Sequence, residues 1–292
     1  AGCLIFLFIP AVSFSSFIIS TDLFLLLFWT LSLNELIKIS REQRLKNFIL
    51  LGIFVGLGFL SKYAAVYFII CLFILILLDK SFRKVFLDNL FGFSLAFLSV
   101  FIIIMPNIIW NFNNGWITFS HTSDNANLEN IEFDLVRGLE FLFIQVLMLG
   151  PLLVFGGAFS LIKKNRLQKI LLIFSLPIII IVFVEAVIVR ANANWAAPAL
   201  ISLFILFYMG TKNSILKILN FVFNFTFCAV FFIMIATSYP FNFFNRINGL
   251  ANYAKEVYNL SSNQSVERIV ISDRLLFSSM SYELREKNIE FY

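Results

Sequence analysis

The stretch NFILLGIFVGLGFLSKYAAVYFIICLFILILL, Asn47–Leu78, decides the fold class. It carries a single charge, Lys62, which divides it into two apolar segments, 47–61 and 63–78. Neither half has the polar stripe that a soluble amphipathic helix shows, so both read as membrane spans. Working outward, apolar segments recur near 3–19, 22–38, 88–106, 135–161, 170–188, 196–211 and 217–238, about nine in all. The bulk composition agrees. Hydrophobic residues make up 60% of the chain, charged residues 13%, and mean hydropathy is +0.92. A soluble domain carries roughly 25% charged residues. With 39 phenylalanines the chain holds more apolar side chain than a soluble core can bury, so lipid must be its solvent.

The net charge of +5 does not indicate nucleic-acid binding, because in a membrane protein the placement of Lys and Arg matters more than their sum. One set of connections holds Lys38, Arg41, Arg44 and Lys46, then Lys80, Arg83 and Lys84, then Lys163, Lys164, Arg166 and Lys169, then Lys212 and Lys217. The alternate connections hold only Lys62, Arg137 and Arg190. This alternation places the basic loops in the cytoplasm. It puts the loop at 107–134, the link near 189–195 and the tail on the other side. Cys3, Cys71 and Cys228 all lie in apolar runs and read as small hydrophobes rather than a disulfide or metal framework. Ala1 opens directly into an apolar run with no basic flank, and the chain reads as a segment cut at both ends.

From 239 the composition changes. Asn248 is placed to cap a helix with Leu250, Tyr253, Ala254 and Val257 on one face. Ile269–Ile271 reads as a short buried strand. Ser272 or Asp273 then caps a helix carrying Leu276, Met280 and Leu284, and Ile289 opens another strand. The expected architecture is an all-α polytopic membrane bundle over 1–238, with a small, truncated α/β extracytoplasmic domain over 239–292.

Ionisable groups inside or beside apolar spans cost about 2.5–3.5 kcal/mol at mid-bilayer and are the natural place to look for function. Asp22 opens a span after Ser20 and Thr21, where a helix N-cap by Thr21 or Asp22 is the simplest role. Lys62 stands in a tight external turn, suited to a phosphate of a lipid-linked substrate or to snorkelling toward headgroups. The run Asn107, Trp110, Asn111, Trp116 to His121 offers amides and rings suited to sugars, though the tryptophans equally suit an interfacial belt. His121 is the single histidine and the one residue to consider if a divalent metal takes part. Arg190 is expected to pair with Glu185 or to face a phosphate-bearing head group, with Asn194 close by. A phosphate-cradling glycine loop and a Ser/His/Asp set are both missing from the sequence.

These motifs also carry a resemblance. Thr21–Trp29, TDLFLLLFW, resembles the TPDAPLLLFW segment of family 39-type GT-C glycosyltransferases, with Leu23 and Phe24 in place of Ala-Pro. That family comprises bacterial relatives of the dolichyl-phosphate-mannose protein mannosyltransferases and of the lipid A aminoarabinose transferase. Gly56–Tyr63, GLGFLSKY, is similar to its GLGFLSKY. Pro106–Asn111 with Gly115-Trp116 is similar to its PNLIWN and GW. Gln145 with Gly150-Pro151, and Asn194-Trp195 with Pro198, follow in order. The resemblance covers nearly the whole chain. It implies an inverting transfer of sugar from a polyprenyl-phosphate donor to a lipid, glycan or protein acceptor, at the outer face of a bacterial inner membrane. It also implies a main catalytic acid in a first external loop upstream of Ala1. Asp22 then takes the supporting role, and this segment alone is expected to be inactive. Lys62, Asn107, Trp110, Asn111, His121, Arg190 and Asn194 become the substrate-binding set. A transporter or flippase of lipid-linked sugars is the alternative. It would favour charges and broken helices deep in the membrane, whereas here the polar residues gather at the external ends of spans.

Overall fold

The structure is a computed structural model that describes residues 2–17, 20–120, 132–158, 165–237, 249–263, 266, 268–287 and 289–292. It is almost wholly helical and falls into two compact units, 1–225 and 226–292. The helices are α1 Gly2–Leu7, α2 Pro10–Phe17, α3 Thr21–Glu42, α4 Leu45–Ser61, α5 Val66–Leu78, α6 Lys80–Asp88, α7 Leu90–Asn113, α8 Leu135–Leu149, α9 Pro151–Gly157, α10 Arg166–Ile173, α11 Leu176–Ile188, α12 Ala197–Gly210, α13 Ser214–Thr237, α14 Leu250–Asn263 and α15 Arg274–Glu283. Short 3-10 turns at Tyr63–Ala65 and Ala193–Ala196 introduce α5 and α12. The chain is an all-α polytopic membrane protein. Among the described residues each of the nine apolar segments is mainly helix. Five stretches of the described residues are long and apolar enough to cross a bilayer, and two more count if each bent pair is one span. The remaining two are the 17-residue α4 and the α1–α2 pair, which breaks ahead of Pro10.

The helices sort by how much of their surface meets protein. Only 17% of the apolar window of α7 and of α13 is buried, leaving side chains such as Phe91, Phe97 and Ile102 outward for lipid. In the window spanning α12 the share is 61%, and α12 sinks Leu200, Phe204, Leu206 and Phe207 into the core. In α3 the buried set Leu25, Trp29, Leu33, Leu36 and Ile39 repeats at helical spacing and forms its inward face. Trp29 meets Phe68 of α5 and Phe174 after α10, with ring centroids 5.1 and 6.2 Å away. Gln43, in the left-handed region at φ 49°, turns α3 back into an antiparallel α4.

Glycine sets the closest approaches. A Cβ on Gly52 would lie 2.2 Å from the Ala96 carbonyl oxygen, and one on Gly56 2.9 Å from Ile103. This Gly-x-x-x-Gly face lets α4 and α7 pack backbone to backbone, running the same way. At Gly150, φ +98°, the helix bends by 92° into α9. The amide of Leu153 is shared between the Gly150 carbonyl at 3.2 Å and Asn220 Oδ1 at 3.0 Å, so a buried side-chain amide on α13 helps to cap α9. The α5–α6 bend of 107° is capped by Asp79, which accepts from Phe82 N at 2.8 Å. Beyond the bend α6 buries Phe82 and Val85 and exposes Lys80, Arg83 and Lys84.

In the second unit, Ala254, Met280 and Leu284 form a small core between α14 and α15. Asp273 is the α15 N-cap and accepts from Leu276 N at 2.9 Å. The strands β1 (Arg268–Ile269) and β2 (Glu290–Phe291) pair in parallel. The expected strand at 269–271 is therefore shorter and shifted. Hydrogen bonding runs on past β1, with Ile271 N donating to the Tyr292 carbonyl at 2.9 Å, but Val270 is 83% exposed instead of buried. Tyr253 likewise faces outward. Asn248, the expected cap, lies outside the described residues.

Candidate functional site

Three helix junctions meet at one end of the first unit. Asp22 lies in the first turn of α3, where a carboxylate favours the positive end of the helix dipole. Lys62, in extended conformation (φ −161°), separates α4 from the 3-10 turn that follows. Since α3 and α4 form an antiparallel hairpin, the start of one and the end of the other lie side by side, far from the turn at Gln43. Lys62 Nζ donates to Asp22 Oδ1 at 2.6 Å. Asn194, in the second 3-10 turn, donates through Nδ2 to Asp22 Oδ2 at 2.8 Å. Both carboxylate oxygens are thus engaged by short charge-assisted bonds. Asp22 is 8% exposed, while the Lys62 side chain keeps 27% exposure. The expected capping role is corrected. Ser20 is the N-cap, no side chain caps the helix, and Asp22 is turned to its tertiary partners.

A second polar group stands alongside. The helix α7 runs through Pro106 to Asn113, so Asn107 and Asn111 belong to its last turns and not to an open loop. Four residues apart, they share a face. Asn107 Oδ1 accepts from Tyr63 OH at 3.0 Å, and Asn111 Nδ2 donates to the Asn107 carbonyl at 3.0 Å. Asn111 is fully buried, with Oδ1 unpartnered among the described residues. The Tyr63 ring stacks on Phe119, centroids 5.0 Å apart.

Between these groups opens a cavity of about 660 Å³, walled by Thr21, Lys62, Tyr63, Tyr67, Asn107, Thr118, Glu185 and Trp195, with Phe59, Leu60 and Val66 among its apolar surfaces. That volume suits a small organic ligand. The expected residues divide. Asp22, Lys62 and Asn194 form one cluster; Asn107 reaches the cavity wall, and Asn111 supports it from below. Trp110 is 51% exposed and outside the wall. Arg190 is exposed, outside the wall, and not paired with Glu185: among the described residues Glu185 has no ion-pair partner. Arg137 is held by Asp134 at 3.1 Å and by the Val189 carbonyl, which ties α8 to the end of α11. His121 lies outside the described residues, as do Lys163 and Lys164. Among the described residues no three metal-binding side chains converge.

Tyr63, Tyr67, Glu185 and Trp195 were not legible as wall residues. Tyr63 and Trp195 belong to the motifs quoted from the sequence, and that membership was the available signal. Glu185 drew attention as a charge beside Arg190, and its real neighbourhood depends on how α11 packs.

The family described as dolichyl-phosphate-mannose-protein mannosyltransferase matches residues 1–110. The chain is also similar to the lipid A galacturonosyltransferase RgtD of Rhizobium johnstonii, 26% identical over 303 aligned positions. The alignment covers 97% of this chain and 62% of that protein, so the chain spans about three fifths of the length of the curated relative it matches. No solved structure matches it. The chain is thus similar in sequence to glycosyltransferases, and its described helices are those of a polytopic membrane protein.

Proposed function

We propose that the cavity holds the head of a polyprenyl-phosphate sugar, and that the protein transfers the sugar to a lipid, glycan or protein acceptor at the extracytoplasmic face of a bacterial inner membrane. One observation carries the reading. Lys62, held by Asp22 and sharing it with Asn194, and Asn107, held by Tyr63, converge from distant parts of the chain beside a cavity whose wall also carries Glu185 and is otherwise largely apolar and aromatic. An isoprenyl phosphate needs both kinds of surface together.

In this reading the acceptor oxygen bonds to the anomeric carbon, and the C–O bond to phosphate breaks with its electron pair staying on the phosphate. Lys62 stabilises that leaving charge. Its ammonium has three N–H donors, so it can keep Asp22 while binding a phosphate oxygen. Asp22 is the supporting carboxylate: it aims Lys62 and Asn194. Asn107 offers its amide to sugar hydroxyls. The hydroxyl proton leaves to a carboxylate. The likeness to a protein named as a lipid A galacturonosyltransferase favours an envelope lipid as acceptor.

The test uses the full-length protein in liposomes with radiolabelled polyprenyl-phosphate sugars and total membrane lipid. Label should pass to an acceptor. Lys62→Ala should lower turnover per folded molecule by about 100-fold or more, and Lys62→Gln should also be poor, because it keeps length but loses charge. Wild-type rates in Lys62→Ala would remove the assignment. Movement of the donor across the membrane with no transfer of label would favour the transporter.

A further inference from the structure

Glu185 lines the same cavity as Lys62 but is spent differently. Asp22 gives both oxygens to partners, whereas Glu185 makes no ion pair or side-chain hydrogen bond among the described residues. It sits near enough to Tyr67 to act on its hydroxyl electrostatically. Trp195, from the 3-10 turn that follows α11, lines the cavity with it. Glu185 is half-buried in a largely apolar wall, so its carboxylate is partly stripped of solvent and gains from a ligand that engages it. Two carboxylate oxygens can accept from neighbouring sugar hydroxyls or from an ammonium, while an indole offers a flat apolar surface to the C–H face of a pyranose.

We infer that Glu185 and Trp195 bind the transferred sugar and restrict it to neutral or amine-bearing sugars, disfavouring uronic acids. The inference rests on the reading that this cavity holds a polyprenyl-phosphate sugar. The cation in the wall, Lys62, already faces Asp22 and the phosphate, so a uronate in the sugar subsite would meet Glu185 as a like charge. The sugar would then differ in charge from the one in the name of the Rhizobium johnstonii relative.

Competition against a fluorescent polyprenyl phosphate, in detergent and with the full-length protein, separates the two ideas. Sugar-free polyprenyl phosphate reports the phosphate subsite. Donors carrying glucose, glucosamine or galacturonic acid report the sugar subsite. Wild type should bind the glucosyl and glucosaminyl donors about tenfold or more better than the galacturonosyl donor. Glu185→Gln, close in shape, should bring the three within about threefold by removing the like charge, with sugar-free binding unchanged. Glu185→Asp should retain the wild-type order, which guards against a folding effect of the Gln variant. Equal or tighter wild-type binding of the galacturonosyl donor, or an unchanged order in Glu185→Gln, overturns the role of Glu185. No binding of sugar-free polyprenyl phosphate overturns the proposed function instead.

Discussion

Asp22 and Lys62 are forty positions apart, and each would be costly alone at a membrane boundary. Together with Asn194 they satisfy one another at 2.6 and 2.8 Å. Removing one partner from a fully buried pair costs about 3–5 kcal/mol. The partial exposure of Lys62 places this pair below that range. Thermal unfolding in detergent should therefore show a destabilised Lys62→Ala and a milder Asp22→Asn, since the amide retains hydrogen-bonding capacity. The double variant Asp22→Asn/Lys62→Ala should recover part of the sum, a coupling of about 1 kcal/mol or more. Strict additivity of the single effects would show that the pair contributes no stability of its own.

Between helices the discriminating feature is where a glycine is needed. Gly52 and Gly58 lie on the same helix and are both buried, yet they differ in surroundings. A Cβ at Gly52 meets the Ala96 carbonyl at 2.2 Å, a backbone atom that no rotamer change can move. At Gly58 the nearest atom is 3.5 Å away, an ordinary contact. Gly52→Ala should lower stability by about 1–3 kcal/mol or more by forcing α4 from α7. Gly58→Ala should be neutral or stabilising, by up to about 1 kcal/mol, through the better helix propensity of alanine. Equal melting temperatures for the two variants would show that the α4–α7 contact is not tight in solution. The α8–α9 bend supplies a second case. Asn220→Leu should cost about 0.5–1.5 kcal/mol, because the Leu153 amide loses its shorter hydrogen bond and keeps only the one to the Gly150 carbonyl. A melting temperature equal to wild type would mean that water replaces Asn220 there.

For the whole molecule the open prediction is orientation. The cation-bearing turn at Arg41, Arg44 and Lys46 lies at the opposite end of the α3–α4 hairpin from Asp22 and Lys62, as the distribution of basic residues leads one to expect. Single cysteines at exposed positions report the sides in a background lacking Cys3, Cys71 and Cys228. Asn114→Cys and Ser272→Cys should react with an impermeant maleimide in intact cells, and Glu42→Cys only after the membrane is opened. The reverse pattern would invert the topology and place the proposed donor site in the cytoplasm.

Apolar length and cation placement are local properties, so the nine helical segments and the membrane class could be read from the chain alone. The motif residues Asp22, Lys62, Asn107 and Asn194 were visible for a related reason: polar groups beside lipid have few inert explanations. What those residues touch was not local. That Asp22 binds Lys62 and Asn194 rather than capping its helix depends on three junctions meeting at one end of the bundle. The sequence put Asn107 and Asn111 in a loop beginning at 107, yet α7 continues to Asn113 and brings them onto Tyr63. Glu185 read as the partner of Arg190 five residues on, and the packing of α11 turned it into the cavity instead. Spacing along a helix states which residues share a face; only the packed bundle decides what that face meets.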